Sequence, residues 1–156
     1  MKERDMQLKF NHFVRDNMEY LKDKLGPSVA FELKIEHGKS FAFKNVLPHQ
    51  VQALCQSCNG SFYYKIPDDP IFKQSKTMFH IKRPYDCYYM SDSGAYIVVW
   101  FYEPRKDKPI YLIDINNFIG LSVKWPKLYN RKSMTEEQIK ENSDHIFLLK
   151  KKYEVL

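Results

Sequence analysis

Apolar residues near the N-terminus recur at spacings of three and four: Met6, Phe10, Phe13, Val14, Met18, Leu21 and Leu25. That spacing predicts one amphipathic helix over residues 5–25, stopped by Gly26 and Pro27. The period then changes to two. Val29, Phe31, Leu33 and Ile35 alternate with Ala30, Glu32 and Lys34, which predicts a strand with one core face. Its other face carries a carboxylate and an ammonium about 7 Å apart along the strand. A turn at Glu36-His37-Gly38 and a short apolar run over residues 40–44 predict a second strand, paired with the first as a hairpin.

Pro48 opens a second helix over residues 48–58, with Val51, Leu54 and Cys55 inward and Asn59-Gly60 closing it. Residues 62–66 have strand composition, and Pro67-Asp68-Asp69-Pro70 stops the strand before a loop carrying Lys73, Lys76, Lys82 and Arg83. Residues 85–90 read as a strand that turns at Ser91-Asp92-Ser93-Gly94 into residues 95–102, as a hairpin. The run Ala-Tyr-Ile-Val-Val-Trp-Phe-Tyr over residues 95–102 is apolar on both faces, as a strand at a sheet centre must be. A strand over residues 110–113 leads to Asp114, the cap of a short helix ending at Phe118. Ser133-x-x-Glu136 has the form of a capping box for a helix over residues 134–142, whereas the tail with Lys150, Lys151 and Lys152 predicts no element. These elements make an α/β fold, a central mixed sheet of five or six strands flanked by helices. A single domain is expected, its core over about residues 5–119 and a basic C-terminal extension over 120–156.

Composition sharpens this picture in three ways. A chain of 156 residues with 44% hydrophobic content can bury roughly 70% of its unfolded surface without a disulfide or metal staple. No run of eighteen apolar residues and no apolar leader is present, so an intracellular protein is expected. Cys55, Cys58 and Cys87 are then free thiols; Cys55-Gln-Ser-Cys58 has metal-ligand spacing but no second pair, and reads as small residues filling a helix C-terminus. The net charge of +6 favours a polyanionic partner through counterion release.

Three acids sit on or beside strands next to loops: Glu32, Asp86 and Asp68. With Lys34 and a positive surround, they supply what phosphodiester hydrolysis needs: carboxylates for a divalent cation and an ammonium for the phosphate charge. Each also has a plain role. Glu32 and Lys34 make a solvated ion pair, Asp68 a turn, Asp86 a strand-end partner of Arg83, and His49 and Gln50 cap the helix that Pro48 opens. Most of the 11 tyrosines and 11 phenylalanines read as core, although several interleave with basic residues as a base-stacking surface would.

The block Ala30-Phe31-Glu32-Leu33-Lys34, Gly38-Lys39-Ser40-Phe41-Ala42-Phe43-Lys44-Asn45-Val46 and Pro48-His49-Gln50-Val51-Gln52-Ala53-Leu54 resembles the catalytic block of RecU-like and phage Holliday junction resolvases, members of the PD-(D/E)XK nuclease superfamily. The resemblance runs on through Tyr64-Lys65-Ile66-Pro67-Asp68, Lys82-Arg83-Pro84-Tyr85-Asp86 and the apolar run from Ala95, covering roughly residues 29–119. It implies a restriction-endonuclease-like core that cuts branched DNA as a homodimer. Glu32 and Asp86 would hold Mg²⁺, with Mn²⁺ able to stand in. Lys34 would assist the attacking water, Gln50 would support that water or a phosphate, and Asp68 would be a further acid. Lys39, Lys44, His49, Lys65, Lys82 and Arg83 would contact DNA. One departure is plain: the Pro-x-Asp element follows the Glu-x-Lys strand here, whereas the family has it first. A permuted connection that sets Asp86 across an adjacent strand from Glu32 would restore the cluster; Asp16 or Glu19 is the upstream rival. A DNA-binding module without catalysis, and a nuclease for flaps or DNA ends, are the alternatives.

Overall fold

The structure, a computed structural model, describes residues 3–65 and 87–155. Asp68, Lys82, Arg83 and Asp86 lie outside the described residues, as do Ile66 and Tyr85. The expected first helix is two: α1, Glu3–Asp16, and α2, Met18–Leu25. Asn17 separates them with φ −127° and ψ 19°. It is buried, its Nδ2 donates to the Phe13 carbonyl at 2.9 Å, and its Oδ1 accepts from the Tyr153 backbone N–H at 2.8 Å. A side-chain amide so occupied competes with the helical ladder, which the spacing of apolar residues could not reveal. Met6, Phe10, Phe13, Leu21 and Leu25 are buried as expected, but Met18, just past the break, is 59% exposed.

Strand β1, Val29–Glu36, is followed by β2, Ser40–Ala42, a 3₁₀ turn at Phe43–Asn45, and α3, Pro48–Asn59. Next come β3, Ser61–Lys65, β4, Cys87–Ser91, β5, Gly94–Phe101, and β6, Ile110–Asp114. The chain finishes with α4, Ile115–Tyr129, β7, Ser133–Thr135, α5, Glu136–Asn142, and β8, His145–Phe147. Among the described residues the principal sheet has four strands in the order β1-β5-β6-β8 rather than the five or six expected. It is mixed: β1 and β5 run parallel, and the other two pairings are antiparallel.

Both expected hairpins dissolve into longer-range pairings. β2 pairs antiparallel with β7, with Phe41 opposite Met134, and not with β1. β4 pairs with β3 in its own two-stranded sheet, and not with β5. For β2 the apolar side chain beyond the turn finds its partner elsewhere: Phe41 and Met134 are each 1% exposed.

The sheet is covered on both faces. On one face Val98, Trp100, Ile110 and Leu112 meet Phe10, Phe13 and Leu21 of the N-terminal helices, with Phe31, Leu33 and Ile35 of β1 beside them. On the other, Ala95, Ile97, Val99 and Ile113 meet Leu54 of α3, Phe118 and Trp125 of α4, and Ile139 of α5. Burial of each such aliphatic side chain contributes about 1.5–3 kcal/mol. β5 lies inside the sheet, as its double apolar character demands. Cys55 and Cys58 are free and pack against the α3 side of this core.

Residues after Gly120, expected as a basic extension, are part of the packing. α4 continues through Gly120 to Tyr129, and Trp125, Met134, Ile139 and Phe147 are buried. The capping box at α5 uses Thr135 and Gln138, two residues beyond the expected Ser133 and Glu136, because Ser133 and Met134 are taken up by β7. No helix among the described residues is long and apolar enough to cross a membrane.

Candidate active site

Among the described residues β1 is an edge strand, and every residue along it is half-buried. Its period of two sends Phe31, Leu33 and Ile35 to the α1–α2 side and leaves Glu32 and Lys34 with Ala30 on the α3 side. There they meet the first turn of α3. The N-cap of that helix is Leu47, which has no side-chain acceptor to offer. Gln50, three residues on, reaches back instead: its Oε1 accepts from the Leu47 backbone N–H at 2.9 Å.

The same amide is wired to the strand. Gln50 Oε1 also accepts from Lys34 Nζ at 2.9 Å, and Gln50 Nε2 donates to Glu32 Oε1 at 2.5 Å. Lys34 Nζ closes the ring on Glu32 Oε1 at 2.9 Å. The lysine and glutamate side chains are only 16% and 24% exposed, so the ring is more sheltered than a surface ion pair. One feature sets its chemistry: both bonds to Glu32 fall on Oε1, and among the described residues Oε2 takes none. The ring therefore holds a carboxylate by one oxygen and presents the other.

That donor set fits a hard divalent cation in part. Mg²⁺ is commonly held by one or two carboxylates together with substrate phosphates and water, and Glu32 Oε2 supplies one such oxygen. Among the described residues no group of three His, Cys, Asp or Glu side chains comes together. Asp86, the expected second ligand, and Asp68 lie outside the described residues. The strand after Asp86, β4, pairs with β3, and the only described neighbour of β1 is β5, so the expected placement of Asp86's strand directly beside β1 is not the arrangement found.

Of the other expected residues, Lys39 precedes β2, Lys44 lies in the 3₁₀ turn and His49 in the first turn of α3; all three are exposed. Helix capping, expected of His49 and Gln50 alike, falls to Gln50. Lys65 ends β3, and its side chain is outside the description. The rivals Asp16 and Glu19 belong to the N-terminal helices, which cover the opposite face of the sheet from Glu32. Asp16 is instead engaged by Arg15 at 2.9 Å, whose hydrogen bond holds its carboxyl below the usual range.

The Glu32 face carries a further acid at the turn that follows β1. Glu36 shares the parity of Glu32 and Lys34, ends β1, and accepts from the Gly38 backbone N–H at 2.7 Å and from Asn45 Nδ2 at 3.5 Å. Period-two alternation, carried one step further along the strand, would have placed it there.

No protein-family model, no curated protein and no solved structure matches this chain.

Proposed function

We propose that this protein is a divalent-metal-dependent endonuclease for branched DNA, of the Holliday junction resolvase type, built on a restriction-endonuclease-like core. The observation that carries the reading is the ring of Glu32, Lys34 and Gln50, with one glutamate oxygen uncommitted among the described residues, on the edge strand of the described sheet. The Glu-x-Lys strand leads through α3 to a parallel neighbour, β5, so the helix N-terminus that orients Gln50 is fixed by the crossover itself.

In this reading Glu32 and Asp86 would hold the cation, which would supply Lewis-acid polarisation of the scissile phosphate. Lys34 does the work assigned to this chain. Its ammonium, tethered between Gln50 Oε1 and Glu32 Oε1, would stabilise charge developing on the phosphate oxygens without first having to be ordered. Gln50 keeps both partners in register, since its amide bonds Lys34 through oxygen and Glu32 through nitrogen. A homodimer would present two such sites to the two-fold axis of a four-way junction.

The test is a substrate panel of four-way junction, flap, duplex and single strand with the full chain and Mg²⁺ or Mn²⁺. Nicking of the junction in preference to the others, with Lys34→Ala still binding but not cutting, is the expected result. Binding without cleavage in either metal would select an inactive DNA-binding module, preference for flaps would select an end-processing nuclease, and cutting retained by both Glu32→Ala and Lys34→Ala would end the mechanism.

A further inference from the structure

Residues 115–135 hold four cations, Lys124, Lys127, Arg131 and Lys132, and no acid. All four are exposed, and among the described residues none of their side chains takes part in an ion pair or hydrogen bond. In a chain with 19 acidic residues such a stretch keeps its charge available to a partner.

The fold brings this stretch next to the candidate active site. β7 pairs with β2 so that Ser133 stands opposite Ala42, and the Phe43 backbone N–H donates to the Lys132 carbonyl at 3.2 Å. Lys132 is thereby set beside the 3₁₀ turn that carries Lys44. A cavity of about 430 Å³ opens there, with Phe43 and Pro126 among its walls and Lys44, Lys132, Ser122 and Ser133 as its polar lining. The Ser122 hydroxyl donates back to the Ile119 carbonyl at 2.8 Å, whereas that of Ser133 makes no bond among the described residues and can donate outward. Two unpaired ammonium groups and a hydroxyl donor around one hollow are the chemistry of a phosphodiester seat. The 3₁₀ turn runs straight into Leu47, whose N–H is bound by Gln50, so hollow and ring are consecutive along one segment.

A second basic hollow, also about 430 Å³, lies over Trp100 and includes Lys106, Lys108 and Lys150. Three of its six cations are held in ion pairs, Lys106 with Glu103, Lys108 with Glu136, and Lys150 with Asp107, while Lys9 and Lys151 lie over the rings of Trp100 and Tyr153. It also opens on the α1–α2 face, since Trp100 packs in that cluster, away from Glu32. Proximity to the Glu32 ring favours the first hollow.

We infer that the hollow between the Phe43–Asn45 turn and the C-terminal half of α4 seats a DNA backbone phosphate flanking the one that faces Glu32 and Lys34, with Lys44, Lys132 and Ser133 as its contacts. The inference rests on the DNA reading of the ring but concerns binding, so the two can fail separately. The experiment is fluorescence anisotropy of the full chain on a labelled four-way junction in EDTA, with affinity measured across a salt series. Each lost phosphate contact lowers the slope of log K against log salt by about 0.9. Lys132→Gln and Lys44→Gln should each lower the slope, and the double variant should lower it by about that amount, with the thermal midpoint unchanged because both side chains are exposed. Lys106→Gln with Lys150→Gln should leave the slope as it is. Slopes equal to wild type in both single variants would overturn the inference, as would a loss of equal size in the Lys106/Lys150 control. A reduced slope in a protein that never cuts DNA would sustain the hollow and remove the nuclease reading. Cleavage with unchanged slopes would do the reverse.

Discussion

Two clusters in this molecule have nearly the same parts. In one, Glu32 meets Lys34 and the amide of Gln50; in the other, Glu136 meets Lys108 and the hydroxyl of Tyr111. Their shelter is comparable, with Glu32 24% and Glu136 27% exposed. The difference is in how the oxygens are used. Glu136 spends both, Oε2 on Lys108 at 2.6 Å and Oε1 on Tyr111 at 3.0 Å, and so ties α5 to β6 and to the turn before it. Glu32 spends one oxygen twice. A carboxylate with both oxygens satisfied is a clamp, and one anchored through a single oxygen can still bind something else. Tyr111 shows the clamp's electrical side: burial, reinforced by the Glu136 carboxylate, pushes its phenol above the ordinary value and keeps it a hydrogen-bond donor.

This comparison can be broken most forcefully at the lysines. Lys34→Ala and Glu32→Gln should lower junction cleavage by about 10²–10³-fold, the loss typical of one preorganised charge stabiliser, while thermal melting shifts little. Lys108→Ala should leave cleavage within experimental error. A cleavage loss in Lys108→Ala as large as that in Lys34→Ala would erase the distinction. Next in size, Glu136→Ala removes both clamp bonds and leaves Tyr111 buried beside an absent acceptor. A stability loss of about 1–3 kcal/mol in denaturant unfolding is expected, and no loss would show the cluster to be idle. Tyr111→Phe alone should cost about 1 kcal/mol or less, since it deletes one bond and keeps the ring.

The smallest effect is a pH dependence. His145 in β8 sits against Tyr96 and Phe147, and its burial lowers the imidazole pKa, an effect the adjacent Asp144 opposes. The unfolded imidazole, near its ordinary value of about 6.5, binds the proton more readily than the folded one. Stability from this group is therefore complete above that value and declines as pH falls through the lower folded-state value. Melting temperatures between pH 7.5 and 5 should fall with acid in the wild type and fall less in His145→Gln; parallel curves would remove His145 as a contributor.

What the sequence disclosed follows the range of each signal. The double apolar face of β5, the Asp114 cap, where Oδ1 accepts from Asn116 N–H at 2.8 Å, and the Pro48 start of α3 are local or one-dimensional signals, and all are found. The pairings of β2 with β7 and β3 with β4 depend on partners that no nearby residue announces. Asn17 breaks a helix whose apolar spacing is unbroken because its amide is claimed by Tyr153, 136 residues away. At the candidate site, alternation identified Glu32 and Lys34, and composition suggested that Gln50 begins a helix. What stayed hidden is that a leucine N-cap leaves the glutamine free to serve strand and helix together.

The two similar carboxylate clusters differ in kind, one with an oxygen left to bind and the other a tie. Side-by-side nicking of a four-way junction in Mg²⁺ by Glu32→Gln and Glu136→Gln tests it most directly. Cleavage should fall by about 10²–10³-fold in the first and stay near the wild-type rate in the second, once both are shown to be folded at the assay temperature. Wild-type cleavage by Glu32→Gln would contradict it.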